Sequence, residues 1–391
     1  MISSKYTIRE QNEAKILNQI IKSGEISRAE LSQVSSLNKA SVSSIIKKLI
    51  DDHLVIEERI GEANTRGRKP ILLTFNAKSA LIIGIDLGYD YIDAMISYLD
   101  GSEIARLQFK DLKVNSKNVF EYVESIVTTL RKDEPSTFHG VIGMTIAIQG
   151  QVLNNTISST SYYHLSEINF IEKLNAIYPF PISVENEANL SALGEYTFSS
   201  EFENLISISL HSGIGAGIVK NGKLEIGNMG YAGQLGHTIL FPDGRPCPCG
   251  NSGCLEQYCS TKVIYKEISE KKKLKKVNSD VVAALYNVGD TDVVTIIEKY
   301  ANYLTIAINN TIMLYAPELV ILNSTLTKKI PNIVTIIQST LINRFTKKVH
   351  ILQSPIEWNP VIYGAIAHSA QAFLNIEQLK LVNHLNKNKN Q

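Results

Sequence analysis

The sequence predicts a two-part chain, a small winged helix-turn-helix at the N-terminus followed by a two-lobed α/β body. Three observations point there. Helical periodicity with strong caps fills the first fifty residues and then gives way to two short strands around a basic loop. Beyond residue 80 apolar strands alternate with an amphipathic helix, and one strand-and-hairpin series occurs twice. All four cysteines, Cys247, Cys249, Cys254 and Cys259, lie together near the second series.

In the head, Ile16, Leu17, Ile20 and Ile21 recur at helical spacing between Asn12 and Ser23, and Gly24 ends this first helix. Ser27-Arg-Ala-Glu30 is a capping box that starts a second helix at about Arg28. Asn38 caps a third, whose Val42, Ile45, Ile46 and Leu49 share one face. The opposite face carries Lys39, Ala40, Ser41, Ser43 and Lys47. Small side chains there let the helix backbone sink into a DNA major groove, while Lys and Ser reach phosphates and base edges. Strands over Leu54–Glu58 and Pro70–Phe75 flank a wing in which Arg66, Arg68 and Lys69 suit a minor groove. Residues 1–80 hold 13 Lys and Arg against 9 Asp and Glu, whereas the rest of the chain is slightly acidic. That asymmetry fits a nucleic-acid-binding head on a near-neutral body.

The body begins after a linker at Asn76–Ser79. An apolar strand, Leu81–Gly88, ends in Asp86-Leu-Gly88; strands Tyr91–Leu99 and Glu103–Phe109 follow as a hairpin across Asp100-Gly101. A helix over Lys117–Arg131 and a strand over Val141–Ile148 come next. A similar series returns as Leu205–Leu210, Gly215–Lys220, an Asn221-Gly222 turn and Lys223–Ile226. Two related halves predict a cleft between lobes that receives a small ligand. The chain is 44% apolar and 20% charged, with no leader-like N-terminus and no apolar run of the ~18 residues that span a bilayer. A cytoplasmic protein without membrane attachment is therefore expected. A disulfide framework would spread its bridges along the chain, so the clustered Cys-x-Cys-x4-Cys reads as a metal site. Its three thiolates need a fourth ligand, for which Cys259 and His237 both stand near enough in sequence.

Several segments together resemble one family over nearly the whole length: Ile26-Ser-Arg-Ala-Glu-Leu-Ser32, Leu37-Asn-Lys-Ala-Ser-Val-Ser-Ser44, Arg68-Lys-Pro70, Gly84-Ile-Asp-Leu-Gly-Tyr-Asp-Tyr-Ile92, Val184-Glu-Asn-Glu-Ala-Asn189, Gly233-Gln-Leu-Gly-His237 and Cys247-Pro-Cys-Gly-Asn-Ser-Gly-Cys-Leu-Glu256. The chain is similar to the repressors, open-reading-frame proteins and sugar kinases grouped as ROK, and within them to xylose repressors. The resemblance implies an actin-like (ribonuclease H-like) two-lobed sugar-kinase fold behind the winged helix. Residues 1–76 would be the head, 77–198 the first lobe completed by a C-terminal helix at about 360–376, and 199–359 the second lobe with a zinc knuckle. The polar segment 380–391 is expected to be a disordered tail.

The same resemblance makes His237 the fourth ligand, beside Cys247, Cys249 and Cys254, of a structural zinc. It points Asn186, Glu187, Gln234, His237 and Glu256 at sugar hydroxyls, although Asn186 and Glu187 also suit the start of a helix through Ala188–Tyr196. It implies a homodimer on a palindromic operator, released when a sugar, by resemblance xylose, binds.

Departures from the kinase members argue against an enzyme. They use Asn-Asp-Ala-Asn, where Asp takes the proton from the attacking hydroxyl; here Asn186-Glu187-Ala188-Asn189 puts the carboxylate one methylene further out. Asp86-Leu-Gly88 runs into Tyr89-Asp90-Tyr91 where kinases have glycines and a hydroxyl, so Tyr89 is expected to obstruct and Asp90 to repel a triphosphate. In the second phosphate loop, the leading Gly-Thr-Gly is replaced by His211-Ser212-Gly213, and the glycine-rich turn against adenine by Asn323-Ser324-Thr325. Gln234 stands where the family has Glu, which leaves the sugar's identity open. An active sugar kinase with a DNA-binding head, or a repressor answering to another sugar or to a protein partner, are the competing readings.

Overall fold

A computed structural model describes residues 8–59, 71–88, 90–160 and 164–382. In order, the head comprises α1 (Ile8–Ser23), β1 (Glu25–Ser27), α2 (Arg28–Ser35), α3 (Lys39–Asp51), β2 (Val55–Arg59) and β3 (Ile71–Phe75). Its starts and stops are where local chemistry puts them. Ser27 accepts from the Glu30 backbone N–H while the Glu30 carboxylate takes the Ser27 N–H at 2.9 Å, completing the box. The Asn38 side chain accepts from Ser41 N at 2.8 Å. Val42, Ile45, Ile46 and Leu49 are buried against Ile16, Leu17, Ile20 and Ile21 in a small apolar core. β1, too short to read from sequence, pairs antiparallel with β3, giving a three-stranded sheet of order β1-β3-β2.

The body continues with β4 (Leu81–Leu87), β5 (Tyr91–Tyr98), β6 (Glu103–Lys110), α4 (Val119–Leu130), β7 (Val141–Ile148), β8 (Gly150–Leu153), β9 (Thr156–Thr160), α5 (Phe170–Ile177), β10 (Ile182–Asn186) and α6 (Glu187–Phe198). Then come β11 (Leu205–Leu210), β12 (Ile214–Lys220), β13 (Lys223–Leu224), α7 (Glu256–Cys259), α8 (Thr261–Lys272), α9 (Ser279–Asn287), α10 (Thr291–Tyr315), β14 (Leu319–Asn323), α11 (Thr325–Lys329), α12 (Asn332–Thr340), β15 (His350–Gln353) and α13 (Pro360–Leu374). The expected duplication is visible in strand order. One sheet runs β10-β7-β4-β5-β6 and the other, written from its opposite edge, β15-β14-β11-β12-β13. In each, an antiparallel meander of three is extended at its first strand by two further strands. Central β4 and β11 are buried at every residue, which explains their unbroken apolar character.

Two compact units result: Met1–Ala147 with Tyr163–Val184 and Ala365–Gln391, and Ile148–Tyr162 with Glu185–Gly364. The head and the β4–β6 sheet share the first. In the second, α10 buries Val293, Ile296, Ile297, Tyr300, Ala301, Leu304, Ile308 and Ile312 at three- and four-residue spacing against the β11–β12–β14 sheet and α12. Among the described residues no helix is long and apolar enough to cross a membrane.

Candidate functional site

The expected DNA-reading face of α3 is open. Lys39, Ala40, Ser43 and Lys47 are exposed and Ser41 is half-buried at the first turn. Arg66, Arg68 and Lys69 lie outside the described residues, as do Tyr89 and the tail from residue 383.

The polar residues of the second unit are held by β12 and what packs on it. α6 starts on Asn186, whose Oδ1 accepts from Ala188 N at 2.9 Å and Asn189 N at 3.2 Å. Its Nδ2 donates to Gly150 O at 2.7 Å. Both oxygen lone pairs and one amide hydrogen are thus engaged, leaving one hydrogen for a ligand. Glu187 follows in the first turn, 8% exposed. Its Oε1 is buried without a hydrogen-bond partner, a costly state for a carboxylate oxygen unless something binds there. Ala188 packs on Gly215 and Gly217 of β12, which seats the start of α6 on that strand.

At the leading end of β12, Glu256 at the start of α7 accepts the Ile214 backbone N–H on Oε2 at 3.0 Å. The 3-10 turn Leu235–His237 packs on the same strand, with the Gln234 carbonyl accepting from His237 N at 3.0 Å. The five residues expected to face a sugar therefore all lie in one unit and surround one strand.

Sequence reasoning passed over Glu185. Its Oε1 accepts from Asn186 N at 2.6 Å and from the Asn189 amide at 3.1 Å, so it orients both ends of the Asn-Glu-Ala-Asn turn. Burial raises its pKa above the ordinary carboxylate value. It lies in the Val184–Asn189 segment, where nothing local distinguishes it from any strand glutamate.

His237, Cys247, Cys249 and Cys254 each bring a ligand atom to within 4.8 Å of the others. The Cys249 and Cys254 sulfurs are 3.7 Å apart, and Cys247 Sγ lies 3.6 Å from His237 Nδ1. A tetrahedral ion bonded at about 2.3 Å to sulfur and 2.0 Å to nitrogen sets edges of about 3.8 and 3.5 Å, so this donor set fits zinc. The protonation chemistry agrees: burial pushes the Cys254 thiol up to about 12, and thiols packed so closely need a cation to hold them all ionised. The loop folds through Cys247 N–H to Asn251 O (2.9 Å) and Gly250 N–H to Cys247 O (3.0 Å). Gly253 has φ +80°, and a Cβ there would sit 1.6 Å from Phe241 O. Cys259 is instead fully buried in the apolar core of this unit, outside the cluster.

At the Asp-Leu-Gly turn, the Tyr91 hydroxyl donates to Asp86 Oδ2 at 3.0 Å, and its ring lies over Gly88, where a Cβ would meet ring carbons at 2.0–2.3 Å. Tyr91 thus covers the Asp-Leu-Gly turn, whereas Tyr89, expected to obstruct a triphosphate there, lies outside the described residues. Asn323 donates to Ser191 Oγ at 3.2 Å, and Ser191 shares a 2.9 Å hydrogen bond with Ser207, a closed internal network. A separate recess of about 460 Å³ includes Phe202, Ile312, Phe345 and His350 in its lining and none of the candidate residues.

Comparison with known proteins follows the same division. Residues 82–370 match the family described as ROK, and residues 9–56 match the winged helix-turn-helix DNA-binding description. The xylose repressor of Bacillus subtilis is 30% identical over 351 residues, covering 88% of this chain and 89% of the repressor. A crystal structure of a ROK family transcriptional regulator, described as a homologue of the Escherichia coli Mlc protein, superposes with a TM-score of 0.80 at 24% identity over 96% of this chain and 99% of that one. A Streptomyces griseus ROK glucokinase, solved with glucose and AMPPNP, superposes at 0.67 with 21% identity over 74% and 99%; these two likenesses concern the fold.

Proposed function

From the premise that the chain belongs to the ROK family, with a winged helix ahead of the family domain, we propose that it is a sugar-responsive transcriptional repressor. In this reading the segments 1–76, 77–198 with the C-terminal helix, and 199–359 act as head, first lobe and second lobe. α3 enters the major groove with Lys39, Ala40, Ser41, Ser43 and Lys47, while Arg66, Arg68 and Lys69 follow the minor groove. Two copies act on a palindromic operator, because a single winged helix gains register and affinity by pairing.

Asn186, Glu187, Gln234, His237 and Glu256 hold the sugar, which is xylose by likeness to the B. subtilis repressor. Zinc on Cys247, Cys249, Cys254 and His237 Nδ1 would fill its four positions with protein and fix the imidazole so that Nε2 faces a hydroxyl. The chain's own groups do the recognising: the remaining Asn186 hydrogen donates, and Glu187 and Glu256 accept. Tyr91 over Asp86 and the Asn323–Ser191–Ser207 network occupy the positions that resemblance assigns to the nucleotide side, which supports binding without phosphoryl transfer. Sugar favours one arrangement of the protein over another and thereby lowers operator affinity.

The observation that carries this reading is the buried, unpartnered Glu187 Oε1. Thermal shifts measured with xylose, glucose and N-acetylglucosamine should show one sugar raising the melting temperature, because ligand at 100 times Kd adds about 2.7 kcal/mol. The Glu187→Ala variant should lose that shift, and the same sugar should weaken operator binding by the wild type. No response to any sugar, or sugar phosphate formed in a coupled ATP assay, refutes it.

A further inference from the structure

The turn between α3 and β2 is tied to the body by a group of residues that neither DNA nor ligand recognition uses. α3 ends at its cap Asp52, whose backbone N–H turns back to the Lys48 and Ile50 carbonyls. The carbonyl of Asp52 points out of the helix, as helix-terminal carbonyls do. His139 Nε2 meets it at 2.8 Å. Since the acceptor is a carbonyl, Nε2 carries the hydrogen and donates.

His139 is itself fastened to the linker by its backbone N–H to Ser79 O at 2.9 Å. Its neighbour Phe138 stacks on His53 with centroids 3.9 Å apart and planes at 26°. His53 holds φ +56°, a left-handed conformation that a non-glycine residue adopts only when its surroundings impose it. Its carbonyl accepts from the Asn76 side chain at 2.8 Å. The His139 ring also meets Phe373 in a T-shaped contact, centroids 5.1 Å apart at 72°.

Phe373 lies in the last turn of α13, a helix whose first residues, through Gly364, belong to the second unit. There Gly364 presses on α6, where a Cβ would stand 1.8 Å from Leu190 O. α6 opens with Asn186 and Glu187. A covalent and packed route thus runs from the candidate sugar residues along α6 and α13 to Phe373, His139 and the end of α3.

We propose that His139 is a positioning residue for operator binding: its Nε2–H holds the C-terminal end of the recognition helix α3 on the body, and Phe373 makes that hold answer to movement of α13. The hold stands on the head's own contacts; its sensitivity to sugar rests on the proposed function.

The test uses the full-length, zinc-loaded chain and two variants. His139→Gln keeps an amide N–H at about the reach of Nε2, whereas His139→Phe keeps the ring against Phe373 and removes the donor. Operator affinity without sugar should fall ~10-fold for the Phe variant and stay within ~3-fold of wild type for Gln, inside the range typical of coupling between sites. Hydrogen exchange of peptides covering 46–58 and 76–82 should quicken in the Phe variant alone. The ratio of operator Kd with and without xylose should shrink toward one in both variants, in Phe because the donor to Asp52 O is gone and in Gln because the ring against Phe373 is gone.

Unchanged or tighter sugar-free operator binding by His139→Phe overturns the proposal. So does equal loss in both variants, because Gln keeps the N–H on which the hold is said to depend. A wild type that answers to no sugar while the variants still separate in affinity and exchange sinks the proposed function and leaves the hold standing.

Discussion

Replacing Gly253 by Ala separates backbone strain from steric exclusion in the metal loop, because Gly250 three residues earlier supplies the control. Both glycines hold positive φ, +97° at Gly250 and +80° at Gly253. A Cβ at Gly250 meets nothing within 4 Å, so Gly250→Ala pays only the left-handed penalty, roughly 1–2 kcal/mol. A Cβ at Gly253 would lie 1.6 Å from Phe241 O and 2.7 Å from Phe241 C. Ordinary contact requires more than 3 Å, so main chain must move by about 1.5 Å beside Cys254, whereas zinc ligands tolerate about 0.2 Å. Gly253→Ala should therefore lose metal as well as stability. Zinc is read by release to a chromogenic chelator, and stability by denaturant unfolding followed through Trp358, the chain's single tryptophan and a residue of the second unit. Gly250→Ala should keep one zinc per chain and Gly253→Ala should not. Equal zinc retention and equal midpoints in the two variants refute the steric reasoning.

Asn38→Ala removes the cap of α3 and should destabilise the head by about 1 kcal/mol; faster amide exchange at Val42 and weaker operator binding, with the sugar thermal shift unchanged, are the expected readings. Glu195 gives a pH signature. Its buried carboxylate accepts Ser354 Oγ at 2.5 Å and the Ser199 hydroxyl, and burial, the largest influence, raises its pKa above 4.5. The folded state then binds the proton more tightly than the unfolded state, so this group's stabilisation is complete below 4.5 and is lost as pH climbs through the raised value. Glu195→Gln should flatten that decline in Trp358-monitored unfolding; a slope identical to wild type would remove Glu195 as its source.

How much of this was legible can be followed residue by residue. The head's helices could be placed because Ser27, Glu30 and Asn38 act on backbone groups three positions away. β1 was missed because three residues show no alternation and are strand only by pairing with β3, some forty-five residues later. The clustering of the three cysteines was visible in their own spacing, while His237 came from resemblance. Tyr91 closing over Gly88 and Asp86 gave no signal, because which side chain of a strand start folds back over a turn depends on the backbone path and not on bulk. Glu185 and His139 gave no signal, for their partners are set by backbone groups that the fold delivers: a neighbouring N–H for one, and a carbonyl 87 residues away for the other.

By itself the sequence determined what depends on near neighbours: caps, strand and helix period, a repeated series of elements, and a thiol-rich loop suited to a metal. Tertiary structure alone decided that Cys259 enters the apolar core, that Glu187 is left with a buried oxygen lacking a partner, and that α3 ends on an imidazole from the body. The physical reason is the range of the forces involved. Capping and periodicity act within a turn or two of chain, whereas burial and the pairing of polar groups are settled only when distant segments have excluded water from between them.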